Sequence, residues 1–344
     1  MLIRFTVDPD IFSGSATNLD IKKKHANLLK LWRTLGLLVI PGDKQLDSKL
    51  YEAICKAPQA IQTMWKEGLK HNRKTSCSSN FASALAQDTP FLKEGEVMGI
   101  RLACLDRDRA ELWGLGPDEY SKVIAKTMEI CRFGDEDQAS IVRSALDFAS
   151  RPINSEETPE AIWRTKISDL STNSRFITIV DRYALRNFIE NKCPGHLDGL
   201  QFLISKIAMA NTPDRKIINI FSSYSVAWNL FDPSASFEDG MESLSLELKN
   251  RLHRFVGESI SEIALHITRD SVFGSIVHYR YILFDQRNLL QLDTGLESLS
   301  DFPGYVRRTC PCHHYEWQSE LADAFRNDEK KLRSKIDYTS KFSL

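Results

Sequence analysis

The feature that most restricts the fold of this chain is the order of apolar and amphipathic segments in its second half. The segments RFITIVDRY and KIINIFSSYS have the apolar character of buried strands, and an amphipathic helical segment follows each of them. Three strand-like segments come next, EIALHITRD, HYRYILFD and NLLQLDTGLESLS. The order β-α-β-α-β-β-β predicts a compact mixed sheet flanked by helices.

The start of the chain shows a second alternation of this kind. LIRFTVDPDIF reads as a strand that ends at an acidic turn, NLDIKKKHANLLKLWRTLG has apolar residues at helical spacing, and LLVIPGD reads as a short buried strand. This β-α-β order predicts the opening of an α/β layer. Residues 45–170, including the segment DEYSKVIAKTMEIC, have apolar residues three and four apart and are predicted to be mainly helical.

The length of 344 residues suggests two domains, because one domain usually contains about 150 residues. The charged, proline-bearing segment at residues 151–160 has the composition of a connector. We therefore predict an α/β protein with a helix-rich α/β domain at residues 1–170 and a mixed-sheet α/β domain at 171–305. A C-terminal helical tail is predicted at 306–344.

Charge and hydropathy limit the partners that we expect. The chain has 45 basic and 46 acidic residues, so bulk charge does not favour nonspecific adhesion to nucleic acid, and any phosphate site must be local. No apolar run approaches the roughly 20 residues that span a bilayer, and the N-terminus lacks the pattern of a signal peptide. We therefore expect a cytoplasmic protein with no membrane partner.

The segment VHYRYILFD places a histidine, an arginine and an aspartate at a fixed spacing. Alternate side chains of a strand face the same way, so His278 and Arg280 are predicted to be neighbours on one sheet surface. Asp285 follows where the strand is expected to end. An imidazole beside a guanidinium on one surface predicts a site for an anionic ester.

This H-x-[basic]-x4-D spacing resembles the H-x-K-x4-D signature of the phospholipase D superfamily. Gly295 and Ser298 lie roughly where a glycine and a serine usually follow that signature. The order of strands and helices over residues 172–305 also resembles a single unit of that superfamily, including its divergent, noncatalytic members. The resemblance covers the second half of the chain only.

The resemblance implies a chemistry for each residue of the motif. His278 would attack phosphorus, Arg280 would neutralise phosphate charge without a metal, and Asp285 would orient the structure nearby. Because one unit contains half of such a site, the resemblance also implies a homodimer or a partner protein. Arginine departs from the family's lysine, and its planar fork is not equivalent to an ammonium group at a packed catalytic centre.

Three interpretations of the motif remain open from the sequence. The first is phosphodiester cleavage, and the second is binding of a nucleic-acid phosphate without turnover. In the third, purely structural interpretation, Arg280 pairs with Asp285 or Asp270. Ser298 and the hydroxyls of Ser222 and Ser223, which end a predicted strand, are candidate phosphate ligands.

The functional hypothesis is therefore a nuclease or a phosphate-binding, nucleic-acid-associated protein. Analogy with the superfamily places such a protein in prokaryotic antiphage defence. The competing hypothesis is a catalytically inactive scaffold or adaptor subunit of a larger complex. Neither hypothesis requires a cofactor.

The N-terminal segment FTVDPDIF, with the helix and strand after it, resembles the start of PIN-like nuclease domains. That resemblance implies a divalent metal held by carboxylates, with Asp8 in the first position, and metal-dependent RNA cleavage. The remaining ligands are open among several acidic residues: Asp10, Glu52, Asp106, Asp108, Asp135 and Asp137. Acidic residues at such positions are also common as helix caps.

Overall fold

The computed structural model of the protein describes residues 2–13, 19–41, 48–77, 95, 97–126, 128–185, 188, 195–210, 215–224, 236–253, 259–302, 308–316 and 319–343. The chain forms two compact units, residues 2–148 (the N-terminal unit) and 149–344 (the C-terminal unit). Each unit contains one sheet with helices against it, which confirms the predicted α/β class. Among the described residues, no helix is both long enough and apolar enough to cross a membrane.

The described residues of the N-terminal unit form six strands. They are β1 (Ile3–Val7), β2 (Gly36–Pro41), β3 (Lys74–Cys77), β4 (Leu102–Leu105), β5 (Ser121–Ala125) and β6 (Met128–Arg132). Its main helices are α1 (Leu19–Leu35), α2 (Lys49–Lys56), α3 (Gln59–His71), α4 (Arg107–Leu112) and α5 (Ser140–Ser150). Short 3-10 helices occupy Pro9–Phe12 and Glu136–Gln138.

The strand order in this unit is β3-β2-β1-β4-β6-β5, and only β5 runs antiparallel to its neighbour. Strand β2 lies on one side of β1, and β4, which comes later in the chain, lies on the other side of β1. The carboxyl ends of β1 and β4 therefore flank the point where the strand order reverses, which is where open α/β sheets usually bind ligands. The predicted β-α-β opening is confirmed as β1, α1 and β2.

The prediction that residues 45–170 are mainly helical was wrong for the segment DEYSKVIAKTMEIC. This segment forms the antiparallel pair β5 and β6. The segment is rich in β-branched residues such as Val123, Ile124 and Ile130, which favour strands. Residues Met128–Cys131 are all buried, and a helix with one apolar face would not bury four consecutive residues.

Seven strands are seen in the described part of the C-terminal unit. They are β7 (Phe176–Val180), β8 (Lys216–Ser223), β9 (Ile260–Thr268), β10 (Tyr281–Phe284), β11 (Asn288–Leu292), β12 (Cys312–Glu316) and β13 (Tyr338–Ser343). Its helices include α6 (Pro159–Ile162), α7 (Ser168–Thr172), α8 (Gly199–Met209), α9 (Phe237–His253), α10 (Asp270–Ile276) and α11 (Asp323–Arg333). A π-helical turn joins α6 to α7, and 3-10 helices occupy Gly295–Leu299 and Glu320–Ala322.

The sheet of the C-terminal unit is mixed, as the order of segments predicted. Its strand order is β12-β11-β10-β7-β8-β9-β13; β7, β8 and β9 are parallel, and the other pairs are antiparallel. The central strand β7 is apolar and mostly β-branched, and Ile177–Val180 are buried because both faces of the sheet are covered. Helices α10 and α11 contribute Phe273, Phe325 and Leu332 to the core on one face.

The boundaries of the units differ from the predicted domains of 1–170, 171–305 and 306–344. Ile153 forms a backbone bridge with Cys310, and α6 contacts the 3-10 helix at Gly295–Leu299, so residues after 149 pack with the C-terminal unit. The predicted helical tail is helical only in part. It also provides β12, which pairs with the preceding strand β11, and β13, which pairs with the more distant strand β9.

Candidate functional site

The three residues of the predicted motif do not lie along one strand. Residues 277–280 have no regular secondary structure, and β10 begins at Tyr281, so the predicted alternation of His278 and Arg280 on one sheet face was wrong. The whole of β10 separates His278 from Asp285. Because residues 277–280 do not form a strand, the alternation of side chains in a strand does not place the imidazole and the guanidinium on the same face.

His278 is exposed and lies beside helix α11. Burial raises the pKa of Asp328 on that helix, and the backbone N–H and the charge of His278 oppose this rise. The imidazole therefore has a neighbouring carboxylate in α11, which the sequence motif did not predict.

Arg280 faces a buried carboxylate and an aromatic ring. Its guanidinium lies 5.0 Å from the centre of the Tyr183 ring. Asp181 is 4% exposed, and burial raises its pKa, whereas hydrogen bonds from the backbone N–H groups of Leu296 and Tyr183 and the charge of Arg280 lower it. The acidic neighbour of Arg280 is thus Asp181 and neither of the two predicted partners, since Asp270 forms a bidentate pair with Arg182.

Asp285 fixes the start of strand β7. One carboxylate oxygen accepts hydrogen bonds from the backbone N–H groups of Arg175, at 2.9 Å, and Phe176, at 2.8 Å. Asp285 and Gln286 both have left-handed backbone conformations, with φ of 52° and 54°, in the tight turn between β10 and β11. Consecutive left-handed residues other than glycine are uncommon, and such strain is often found at ligand sites.

The three candidate serines are buried and hydrogen-bonded within the fold. Ser298 donates to the carbonyl of Gly295 at 2.9 Å inside a 3-10 helix. Ser222 and Ser223 both donate to the carbonyl of Arg182, at 3.1 and 3.0 Å, and Ser223 is also 2.8 Å from Asp270. The hydroxyls of Ser222 and Ser223 thus join the carboxyl end of β8 to the residues that follow β7.

A different cavity of the C-terminal unit contains Asp285. Its volume is about 520 Å³, and it lies among the start of β7, the middle of β8, the turn between β10 and β11, and the end of α11. We call it the arginine pocket. Its lining residues are Arg175, Phe176, Thr178, Asn219, Asp285, Gln286, Arg287 and Arg333.

The arginine pocket has an excess of positive charge, with three guanidinium groups against one carboxylate. Arg333 pairs with Glu329 and also lies 4.8 Å from the centre of the Phe221 ring. Arg175 and Arg287 make no salt bridge with any other described residue. Burial lowers the pKa of Arg287 and the Asp285 carboxylate raises it, but a guanidinium stays charged at physiological pH.

The N-terminal unit places acidic side chains at its own strand ends. Asp8 follows β1 and is fully buried, and Asp106 follows β4 and caps helix α4. Arg109 of α4 lies 2.8 Å from a carboxylate oxygen of Asp8 and also binds Asp10. Burial raises the pKa of Asp8 to about 6, although the backbone N–H of Asp10 and the charge of Arg109 lower it. We call these four residues the acidic edge.

The acidic edge, as it stands, does not fit a divalent metal ion. The guanidinium of Arg109 already pairs with both Asp8 and Asp10. Within the described parts of the chain, no three histidine, cysteine, aspartate or glutamate side chains are grouped as ligands of one ion. Glu52, another predicted ligand, is an exposed residue of α2 that pairs with Lys56.

The arginine pocket was missed by reasoning from the sequence because its residues come from distant segments. Arg175 precedes β7, Arg287 lies in a turn, and Arg333 ends α11. The three arginines are not related by any regular spacing in the sequence. The one local signal was the basic and aromatic pair Arg175 and Phe176 at the start of RFITIVDRY, and the structure shows that Phe176 is 44% exposed at the start of β7.

A search of protein-family models and a search of curated proteins both find no match to this chain.

Proposed function

We propose that the protein binds a strand of nucleic acid through its phosphodiester backbone in the arginine pocket. The observation that carries this proposal is that two guanidinium groups, Arg175 and Arg287, line a cavity of about 520 Å³ without a salt bridge to another described residue. Guanidinium groups bind phosphate oxygens with paired, charge-assisted hydrogen bonds. The pocket is thus a local phosphate site on a chain whose net charge is −1.

The single carboxylate of the pocket does not oppose this interpretation. An oxygen of Asp285 is already occupied by two backbone N–H groups, which stabilise its charge inside the protein. Its negative charge is offset by Arg175 and Arg287, whereas the third arginine, Arg333, already pairs with Glu329. The remaining positive charge favours an anionic ligand.

Binding is favoured over cleavage at the predicted motif. Cleavage of the kind that the family resemblance implies requires an imidazole at the bound phosphate. His278 does not line the arginine pocket, and β10 separates it from Asp285, which does. We therefore propose a phosphate-binding protein or binding subunit, acting with a partner protein or as a homodimer.

The proposal predicts that Arg287→Ala weakens the binding of a short single-stranded oligonucleotide about tenfold, because one charge-assisted contact is lost. Fluorescence anisotropy of a labelled strand measures the dissociation constant. The matched control is Arg164→Ala, which removes the same charge from an exposed residue of the same unit outside the pocket.

In that experiment the control should retain the affinity of the wild-type protein. The slope of log K against log salt should also become shallower by about 0.7 for Arg287→Ala, as for the loss of one phosphate contact. Equal effects of the two substitutions would show that binding depends on overall charge, and the arginine pocket would then not be the site.

A second candidate function is metal-dependent RNA cleavage by the N-terminal unit. It is favoured by the position of Asp8, a fully buried carboxyl group with a raised pKa at the point where the strand order reverses. The ion pair between Arg109 and Asp8 weighs against it.

The two candidates respond differently to removal of divalent ions. We expect strand binding to be unchanged in EDTA and in Asp8→Asn, because contacts between guanidinium and phosphate need no metal. RNA cleavage by the N-terminal unit should stop under both conditions. Gel analysis of a labelled RNA, together with anisotropy of the same RNA, measures both properties. Loss of binding in EDTA would contradict the first proposal.

A further inference from the structure

The arginine pocket is much larger than one phosphate group requires. Its volume of about 520 Å³ is in the range of cavities that hold whole small molecules. We propose that the pocket accommodates a complete nucleotide of a single strand, with the base inside and the phosphate on the arginines. This inference rests on the proposed function and adds to it the class of nucleic acid that is recognised.

Three pocket residues lie on one face of the sheet. Phe176 and Thr178 are two positions apart on β7, so their side chains point the same way. Thr178 is the register partner of Asn219 on the parallel strand β8. The side chains therefore run from an aromatic ring at the start of β7 to a hydroxyl and an amide farther inside.

Phe176 provides a surface on which a base can stack. It is 44% exposed although it begins the central strand of the sheet, and its ring lines the pocket. The guanidinium of Arg175 lies 5.5 Å from the centre of that ring. Aromatic rings beside cationic side chains are the usual platforms for unpaired bases, since every base has a π-face.

Asn219 is placed to contact the edge of the stacked base. Its Oδ1 atom lies 3.4 Å from Nε2 of His266, whose Nδ1 atom lies 3.2 Å from the hydroxyl of Thr339. Burial, with smaller effects of Arg333 and Lys341, lowers the pKa of His266 to about 4, so the ring is neutral at physiological pH. With the proton of the neutral ring on Nε2, His266 donates to this amide oxygen, and the amide N–H groups are left for a ligand.

These groups together select an unpaired nucleotide. The bases of a duplex are stacked on each other and their edges are paired, so they cannot enter a cavity on a sheet face. An unpaired base can stack on Phe176 and accept a hydrogen bond from Asn219, while Arg175 and Arg287 bind its phosphates. The pocket thus fits single-stranded nucleic acid and excludes intact duplex.

Three probes of equal length test this inference with the full chain: a single-stranded oligonucleotide, the same backbone with abasic sites, and a duplex. We expect the single strand to bind about tenfold more tightly than the abasic strand, because stacking of one base contributes such a factor. Phe176→Ala should remove this difference, whereas Phe176→Tyr should keep it. Thermal unfolding checks that both variants fold. We expect little change in the melting temperature, because the Phe176 side chain is partly exposed.

The outcomes separate the two proposals. If the abasic strand binds as tightly as the natural strand and Phe176→Ala changes neither affinity, base recognition is overturned while phosphate binding stands. Duplex binding equal to that of the single strand would also overturn it. If no probe binds the wild-type protein, the proposed function fails and the nucleotide site with it.

Discussion

We expect the double variant Arg175→Ala/Arg287→Ala to bind single-stranded nucleic acid at least about a hundredfold more weakly than the wild-type protein. Each guanidinium is free of salt bridges to other described residues and lines the same cavity, so each can give paired hydrogen bonds to phosphate oxygens. A charge-assisted hydrogen bond contributes about 1.5–3 kcal/mol, which is about tenfold or more in affinity for each arginine. Anisotropy titration at two salt concentrations measures the loss.

The matched control is the double variant Arg164→Ala/Arg308→Ala. Both residues are exposed arginines of the C-terminal unit outside the pocket, so the variant changes net charge by the same amount. Its affinity should stay close to that of the wild-type protein, because exposed charges away from the ligand are screened by salt. A comparable loss in the control would refute a localised site.

We expect Gly295→Ala to destabilise the C-terminal unit by about 3 kcal/mol, because a methyl group at this position is both strained and crowded. The φ angle of Gly295 is +66°, which side chains disfavour. An added Cβ atom would overlap a carboxylate oxygen of Asp181 and would lie 2.6 Å from Cδ of Arg280. Because Asp181 is buried and hydrogen-bonded to Leu296, it cannot move without losing partners.

Gly195→Ala is the control for this second prediction. Gly195 has a φ angle of +90°, but an added Cβ atom would meet no atom within 4 Å. It should therefore show only the cost of backbone strain, about 1 kcal/mol. Chemical denaturation followed by fluorescence measures both variants. Equal destabilisation would mean that the contact with Asp181 and Arg280 adds nothing to the role of Gly295.

The sequence predicted the fold where local patterns agree with burial. The strands β2 and β7 are mainly apolar, β1 and β8 carry apolar residues at half or more of their positions, and α1 has an apolar stripe that packs in the N-terminal unit. These elements set the α/β class and the mixed sheet, which the structure confirms. By contrast, β12 and β13 are edge strands that exist through pairing with β11 and β9, as in Tyr338 opposite Ile267. No local pattern reports such long-range pairing.

The candidate site could be predicted only in part. The sequence drew attention to Asp285, which does line the arginine pocket, but its role there is to hold the backbone of Arg175 and Phe176. His278 and Arg280 were grouped with it on the expectation of a longer strand. That strand begins at Tyr281, so the spacing in the sequence does not correspond to proximity in the fold.

The measurement that tests the central claim most directly is photo-crosslinking of the 344-residue chain to a single strand that carries a photoreactive base, followed by peptide mass spectrometry. We expect adducts on Phe176 or on residues 285–287, and we expect these adducts to be lost in Arg175→Ala/Arg287→Ala. Adducts confined to the N-terminal unit, or adducts that persist in the double variant, would contradict binding in the arginine pocket.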